Sequence, residues 1–196
     1  MNYTEALNFL NENFVSFQTA GRTAYHEGLD TIAAACRTMG NPQNDYMTIH
    51  IAGTNGKGSV AHMLAAVLQS AGYHTGLYTS PHLHSIRERI RIDGEPIPEY
   101  AVADFMSRYG DDIKRLGLSY FEMTTAMAFK WFSESEVEVA IIETGLCGRL
   151  VSTHLITPAI SIVTTISLEH CHILGTTVDA IAAETAGIIN IHTTAA

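Results

Sequence analysis

The chain has 196 residues, of which 46% are hydrophobic, and a net charge of −9, which suit a single domain with one substantial core. The negative charge disfavours a nucleic-acid partner or a membrane surface, because such polyanions are met by clustered lysine and arginine. No apolar run approaches the roughly 18 residues of a membrane span, and the N-terminus lacks a basic region followed by an apolar one. We therefore predict a cytoplasmic protein whose three scattered cysteines are reduced.

Apolar residues at helical spacing predict two helices, over 7–17 and 29–36, ahead of the first strand. The apolar run 47–52 predicts a buried strand, which is followed by a glycine-rich loop, a helix that ends at Gly72 and a short strand over 75–79. This order is one strand, helix, strand unit. The later predictions are an extended segment over 85–92, helices over 99–116 and 121–132, strands over 137–142 and 160–166, and a last helix over 178–189.

The alternation of these elements predicts the fold class. Near-continuous apolar strands that alternate with helices indicate an α/β protein, in which helices cover both faces of a mostly parallel sheet. We find no internal repeat and no linker, and we expect one P-loop NTPase-like domain over 1–196.

The loop 53–59 reads GTNGKGS and joins a predicted strand to a predicted helix. Its glycines allow a tight turn with inward N–H groups, and the helix start adds partial positive charge. Lys57 supplies a full charge, and Ser59 a hydroxyl for hydrated magnesium, although their spacing differs from that of the common P-loop. The predicted phosphate ligands are Thr54, Asn55, Gly56, Lys57, Gly58 and Ser59. The alternative is an ordinary turn between strand and helix.

Two further side chains follow other strands of the predicted sheet. Glu143 ends one strand, and His170 follows another after a short turn. Because the carboxyl ends of parallel strands meet at one edge, we expect both side chains to face Lys57 in one cleft. A carboxylate and the Ser59 hydroxyl suit magnesium, whereas imidazole is an unusual ligand for so hard an ion. Taken singly, Glu143 also fits a solvated strand end, and His170 a capped loop histidine.

Arg87, Arg89 and Arg91 alternate along the predicted extended segment. An extended backbone would place all three on one face, which predicts either an anion site or a solvated edge strand whose charges discourage pairing with another chain. A transition-metal site around His170 and Cys171 is disfavoured, because adjacent ligands without the usual spacing rarely close a tetrahedral shell.

Several stretches carry a family resemblance: YHEGLDTI, IHIAGTNGKGSV, GLYTSPHLHSIRERIRIDG, YFEMTTAMAF, IIETGLCGRL, TTISLEH, ILGTT and AGII. Together they resemble folylpolyglutamate synthase and dihydrofolate synthase, a family within the Mur ligase superfamily. The resemblance implies an ATP-dependent ligase that phosphorylates a folate or dihydropteroate carboxylate to an acyl phosphate, which the amine of L-glutamate then attacks. It implies ATP and Mg²⁺ as cofactors and small molecules as the partners.

The resemblance also implies roles for individual residues. The implied catalytic residues are Lys57, Glu143 and His170. The implied magnesium ligands are Ser59, Ser80, Glu143 and His170. The implied substrate contacts, on the pterin side, are Gly28, Leu29, Asp30, Thr31, Phe121, Glu122 and Arg149.

The chain departs from the family at several positions. Cys147, Val151 and His154 stand where the family has glycine, aspartate and asparagine. Thr185 stands where the family has a lysine that supports the metal site, and its spacing from Ile181 is that of a buried helix residue. These changes argue for impaired catalysis, and a non-catalytic nucleotide-binding protein is the first alternative.

Length is a further departure. The family continues through more of the ATPase sheet and a second domain, so we expect 1–196 to be an incomplete Mur ligase central domain that lacks the C-terminal glutamate ligase domain. An incomplete sheet would expose an edge and apolar surface, which predicts marginal stability or self-association. A Mur-type ligase for cell-wall peptides shares the GTNGK loop and is a second alternative, which the stretches YTSPHL and RERI disfavour.

Overall fold

A computed structural model of the chain describes residues 1–14, 28–145, 152–168, 176–189 and 193–196. The helices are α1 (Tyr3–Asn13), α2 (Asp30–Thr38), α3 (Lys57–Ser70), α4 (Glu99–Leu116), α5 (Tyr120–Glu134) and α6 (Val178–Ala186). The strands are β1 (Met47–Ala52), β2 (Thr75–Tyr78), β3 (Ile90–Ile92), β4 (Glu95–Pro96), β5 (Val139–Glu143), β6 (Ile160–Val163) and β7 (Thr194–Ala195). Short 3₁₀ turns cover Pro42–Asn44, Ile86–Arg89 and Ser152–Leu155.

Within the described residues, the strands form one sheet of seven in the order β4-β3-β2-β5-β1-β6-β7. The strands from β2 to β7 in this order pair in parallel, and β3 and β4 add to one edge as antiparallel strands. The predicted mostly parallel sheet is therefore confirmed. Because β1 lies between β5 and β6, the segments that follow those two strands flank the loop that follows β1.

Helices cover both faces of the sheet, as predicted. On one face α1, α2, α4 and α5 pack around a core that includes Tyr78 of β2 and Ile142 of β5. On the other face α3 packs Ala61 and Ala65 against a smaller core that includes Ile51 of β1. Strands β2 and β5 are buried along their whole length, which explains why β5 is apolar up to its last residue, Glu143.

Two elements have the bounds that the sequence predicts. The strand over 47–52 is β1, and the helix over 99–116 is α4. Helix α4 follows Pro98 and ends at Gly117, whose φ of 76° is the left-handed conformation typical of a helix C-terminus. No helix in the described part of the chain combines the length and the apolar character that crossing a bilayer requires.

Other predicted bounds were wrong. Helix α1 begins at Tyr3, four residues before the helix predicted over 7–17, and it ends at Asn13 because Phe14 is extended. The predicted residues after Phe14 lie outside the described part. Helix α6 ends at Ala186 with Gly187 as its C-cap. Strand β6 ends at Val163 and not at residue 166, and strand β5 covers Val139–Glu143 where the prediction was 137–142. The two-residue strands β4 and β7 were not predicted.

The extended segment predicted over 85–92 is wrong for its first half. Residues Ile86–Arg89 form a 3₁₀ turn that begins with a capping box between Ser85 and Glu88. The Glu88 carboxylate accepts the N–H groups of Leu83 and Ser85, both at 2.8 Å, and these bonds lower its pKa to about 2. Glu88 therefore stabilises a compact turn in place of a strand.

This turn separates the three arginines. Arg87 Nε donates to Ile97 O at 2.6 Å, and Arg91 Nη1 donates to Gly94 O at 3.0 Å. Arg89 is buried, with 5% of its surface exposed. Because residues 86–89 form a turn and the three guanidinium groups have separate partners, the arginines do not share one face of an extended strand, as had been predicted.

Candidate functional site

Two glycines with positive φ shape the loop after β1. Gly53 has a φ of 136°, and a Cβ atom there would collide with the Thr164 hydroxyl and lie 3.0 Å from Thr165 O. Gly56, with a φ of 85°, is the N-cap of α3, and no described side chain caps this helix. The first N–H groups of α3 therefore offer donors and partial positive charge to an external anion.

Lys57 places its charge over the same loop. Its Nζ donates to Gly53 O at 2.7 Å and to Thr54 O at 3.1 Å. Asn55 and Ser59 are exposed, so the loop is open to solvent. An anion bound at the start of α3 would lie beside the Lys57 ammonium group, which a phosphate loop requires.

Residues that follow β6 bind the backbone of this loop, a role that we had not predicted. Thr54 N donates to Thr165 O at 2.7 Å, and Asn55 N donates to the Thr165 hydroxyl at 3.2 Å. The Thr164 hydroxyl donates to Asn55 O at 2.7 Å. These residues belong to the stretch TTISLEH, and only the pairing of β6 with β1 shows that they lie beside the loop.

Glu143 ends β5 and is buried, with 3% of its surface exposed. The alternative of a solvated strand end is therefore wrong. Its Oε2 accepts a hydrogen bond from Ser80 N at 3.0 Å. Burial raises the pKa of Glu143, while the Ser80 N–H and the positive charge of Lys57 act in the opposite direction. Glu143 is thus a buried carboxylate that a nearby cation would stabilise.

The turn before α2 meets the start of α5. The Thr31 hydroxyl donates to Glu122 Oε1, and Glu122 Oε2 accepts Ser119 N at 2.7 Å. Glu122 is 2% exposed and forms a capping box with Ser119, a structural role that the spacing of these two residues indicates but that we had not predicted. Gly28 and Leu29 are half-buried next to Thr31, and Asp30 is exposed. The structure therefore brings the predicted pterin-side residues 28–31 and Glu122 together.

Phe121 connects this group to the end of β5. A Cβ atom on Gly145 would lie 3.1 Å from Phe121 Cζ, so the ring packs directly on the backbone two residues after Glu143. The Phe121 ring also packs against Tyr78, at a centroid distance of 5.9 Å. The predicted phosphate and pterin sides are thus adjacent parts of one edge of the sheet.

Four predicted or departing positions lie outside the described residues: Arg149, His170, Cys147 and Val151. The roles that the sequence assigns to Arg149 and His170 stay predictions. Across the described ranges, no group of three or more His, Cys, Asp and Glu side chains could hold a metal ion.

Two departures from the family pattern do lie in the described part. Thr185 is buried, and its hydroxyl donates to Ile181 O at 2.7 Å, which confirms that it is a buried helix residue. His154 stacks on His50, with ring centroids 6.5 Å apart, and His50 Nε2 lies 3.0 Å from the Thr153 hydroxyl. Burial lowers the pKa of His50 to about 3 and also lowers that of His154.

A cluster of side chains around Arg89 was also not predicted. Arg89 Nε donates to His82 Nδ1 at 2.8 Å, and its guanidinium carbon lies 5.3 Å from the centre of the Tyr120 ring. Burial raises the pKa of Tyr120 and of Glu143, and the positive charge of Arg89 acts in the opposite direction. Arg89 is therefore a buried cation between the loop that contains Ser80 and the start of α5.

The chain is similar to proteins named as folylpolyglutamate and dihydrofolate synthases. The chain is 40% identical over 196 residues to a folylpolyglutamate synthase of Lacticaseibacillus casei, with 96% of this chain and 44% of the relative covered. It is 36% identical over 165 residues to a dihydrofolate synthase/folylpolyglutamate synthase of Escherichia coli, with 82% of this chain and 38% of the relative covered. The chain thus spans less than half the length of these relatives.

Solved structures give the same result. A structure described as an FPGS-AMPPCP complex superimposes with a TM-score of 0.89 at 37% identity, covering 100% of this chain and 47% of that one. The E. coli FolC structure with DHPP and ADP has a TM-score of 0.87 at 31% identity, covering 98% and 45%. The model of the Mur ligase middle domain matches residues 51–195, from the end of β1 through the phosphate loop to β7. The chain belongs to the Mur ligase family, and within it is similar to the folylpolyglutamate and dihydrofolate synthases.

Proposed function

We propose that the chain binds ATP and is part of a ligase that joins L-glutamate to a folate or dihydropteroate carboxylate. Similar structures support both ligands, since they are described as an FPGS-AMPPCP-folate complex and as E. coli FolC with DHPP and ADP. The observation that carries the proposal is the packing of Phe121 on Gly145, two residues after Glu143. This packing places the proposed acceptor contacts of α5 beside the end of β5, where the Glu143 carboxylate lies against Gly58 at the start of α3.

The ATP phosphates lie at residues 53–59 in this proposal. Their oxygens accept hydrogen bonds from the N–H groups that begin α3, beside the Lys57 charge. Thr165 supports this role indirectly, because its bonds to Thr54 and Asn55 keep the loop open for an anion. The loop conformation needs glycine at Gly53, where a side chain would collide with Thr164, the residue that follows β6.

Mg²⁺ is the second proposed cofactor, and the described donors fit it. Glu143 offers a buried carboxylate, and Ser80 and Ser59 offer hydroxyls on the two segments beside it. Oxygen donors of this kind are the ligands that Mg²⁺ prefers. His170 is proposed to complete the set. A bound Mg²⁺ would neutralise charge on the phosphate oxygens during transfer.

The acceptor binds at the start of α5 in this proposal. The Glu122 carboxylate, set by Thr31 and Ser119, can accept hydrogen bonds from the amino and ring N–H groups of a pterin. Phe121 offers an aromatic face for the pterin ring. Arg149 and the turn 28–31 complete the proposed contacts.

The proposed reaction has two steps. A carboxylate oxygen of the acceptor attacks the γ-phosphorus of ATP, and the bond to the leaving ADP breaks to give an acyl phosphate. The amine of L-glutamate then attacks the acyl carbon, phosphate leaves, and the amine loses a proton to give the amide. Lys57 and the α3 N-terminus act by positioning and charge neutralisation, because phosphoryl transfer needs little covalent help.

Calorimetry and product analysis on the full 196-residue chain test this proposal. We expect Mg²⁺-dependent binding of AMPPCP, binding of dihydropteroate, and release of ADP from ATP only when dihydropteroate is present. The control is Lys57→Gln, which should weaken AMPPCP binding by roughly tenfold to a hundredfold and keep dihydropteroate binding. Absence of AMPPCP binding by the unsubstituted chain would overturn the proposal.

Thr185 favours a second candidate, a nucleotide-binding protein without ligase activity. Its hydroxyl donates to Ile181 O inside α6. Threonine cannot replace the amine of the lysine that, by the family resemblance, supports the metal site at this position. This candidate predicts AMPPCP binding without dihydropteroate-dependent ADP release, and the same measurements separate it from the ligase.

A further inference from the structure

His82 is held by a donor that cannot change its protonation state. Arg89 is 5% exposed and fixed over the Tyr120 ring, and its Nε–H points at His82 Nδ1 at 2.8 Å. A guanidinium group donates and does not accept. The Nδ1 atom of His82 must therefore be the acceptor, and the ring proton lies on Nε2.

The Nε2–H donor of His82 is available to a ligand. His82 is half-buried, and no residue in the described ranges forms a hydrogen bond with Nε2. Such a donor, fixed in orientation by its second nitrogen, is a positioned contact rather than a freely rotating one.

His82 lies between the two halves of the proposed site. Ser80, two residues before it, binds the Glu143 carboxylate at the phosphate side. The His82 ring packs on Tyr120 at a centroid distance of 6.5 Å, and Tyr120 adjoins Phe121 on the acceptor side. A folate or dihydropteroate substrate whose pterin ring lies at Phe121 must extend its carboxylate toward the γ-phosphate. That carboxylate would then lie between Phe121 and Ser80, where His82 is found.

We infer that His82 Nε2–H donates a hydrogen bond to the carboxylate of the acceptor, the group that is phosphorylated, and that Arg89 is the residue that positions His82 for this contact. The inference rests on the proposed function. His82 would contact the substrate, and Arg89 would hold the His82 ring through its hydrogen bond to Nδ1. Neither role follows from those proposed for residues 53–59, Glu143 or Glu122.

The tautomer can be measured without any ligand. In a long-range ¹H–¹⁵N spectrum of the labelled chain, we expect His82 to have a protonated Nε2 and an unprotonated Nδ1. Arg89→Lys should release this preference, because an ammonium group lacks the fixed Nε–H direction. A protonated Nδ1 in the unsubstituted chain would overturn the inference, whether or not the proposed function is correct.

Two substitutions separate the two nitrogens of the ring. In His82→Asn the side-chain oxygen can accept the hydrogen bond from Arg89 in place of Nδ1, and the Nε2–H donor is lost. In His82→Gln the amide nitrogen replaces the Nε2–H donor. We expect the affinity for dihydropteroate to fall about tenfold or more in His82→Asn, because a hydrogen bond to a charged group is lost, and to fall less in His82→Gln.

AMPPCP affinity should be unchanged in both variants, which shows that the fold is intact. The exposed neighbour His84 provides the control, since His84→Gln should leave both affinities unchanged. Equal dihydropteroate affinity in His82→Asn and the unsubstituted chain would overturn this inference alone. Failure of the unsubstituted chain to bind dihydropteroate would instead overturn the proposed function together with it.

Discussion

The Glu143 carboxylate faces Gly58 at the first turn of α3. A Cβ atom on Gly58 would lie 3.7 Å from Glu143 Oε2 and 3.9 Å from Oε1, which is ordinary contact distance. A buried anion thus touches the positive end of a helix, which partly offsets the cost of its burial. This contact brings the end of β5 and the phosphate loop within reach of one bound ion.

Glu143→Gln should separate folding from cofactor binding. The amide keeps an acceptor for Ser80 N–H and removes a buried charge, so we expect the free energy of unfolding to change by less than about 1 kcal/mol or to rise. AMPPCP binding should lose its dependence on Mg²⁺, because the charged oxygen donor is gone. Denaturant unfolding and calorimetry with and without Mg²⁺ measure the two effects. Mg²⁺ dependence equal to that of the unsubstituted chain would contradict the proposed ligand role.

Gly53→Ala should destabilise the loop through contact as well as conformation. Gly53 has a φ of 136° and lies against Thr164 and Thr165, whereas Gly72 has a φ of 91° with nothing within 4 Å of its Cβ position. We expect Gly72→Ala to cost about 1–2 kcal/mol for its conformation alone. Gly53→Ala should cost about 1–3 kcal/mol more, because its neighbours must also move. Urea denaturation of both variants gives the difference, and equal losses would show that the contact is relieved at no cost.

Lys57→Gln should weaken nucleotide binding far more than folding. Glutamine can still donate to Gly53 O or Thr54 O, so the free energy of unfolding should change by about 1 kcal/mol or less. A charge-assisted contact to phosphate contributes about 1.5–3 kcal/mol, which predicts a loss of roughly tenfold to a hundredfold in AMPPCP affinity. Calorimetric titration measures the affinity. A loss below threefold would place the Lys57 charge away from the phosphates.

His50 should make the protein less stable in mild acid. Burial, with the neighbouring His154 ring acting in the same direction, lowers the pKa of His50 to about 3 in the folded chain. In the unfolded chain a histidine has a pKa of about 6.5, so between about pH 3 and pH 6.5 the unfolded chain binds more protons than the folded chain. The free energy of unfolding therefore falls as the pH falls below about 6.5, by at most about 1.4 kcal/mol per pH unit from this residue.

Urea denaturation at several pH values measures this effect, with His50→Gln as the variant that cannot titrate. Glutamine can still pair with the Thr153 hydroxyl, so the comparison isolates the proton. The exposed His84 gives the matched control, and His84→Gln should keep the acid sensitivity of the unsubstituted chain. Parallel pH profiles for His50→Gln and the unsubstituted chain would show that His50 is not the group responsible.

Local signals were enough for the central elements. Strand β1 is a continuous apolar run, and helix α4 stands between Pro98 and Gly117, so both had clear limits in the sequence. The glycine-rich loop was equally clear, because its three glycines and Lys57 all lie within residues 53–58. The turn at Ile86–Arg89 also had a local signal, the Ser85 to Glu88 capping box, which the alternation of arginines concealed.

Contacts between residues that lie far apart in the sequence could not be predicted from such local signals. The burial of Glu143 depends on the segment around Ser80, and the role of Glu122 depends on Thr31, 91 residues earlier. Periodicity reports the burial of one face of an element, whereas these contacts join the ends of different elements. The two-residue strands β4 and β7 exist only through pairing with β3 and β6, which no pattern of two residues can show.

The phosphate loop depends on residues that are made late. Asn55 donates to Thr165, which stands 110 residues further along the chain. At a translation rate of about 5–20 residues per second, a ribosome synthesises Thr165 roughly 5 to 20 seconds after Asn55. A nascent chain that stops short of Thr165 would contain the whole GTNGKGS motif without the bonds that fix its backbone, so nucleotide affinity would arise in one late step of synthesis.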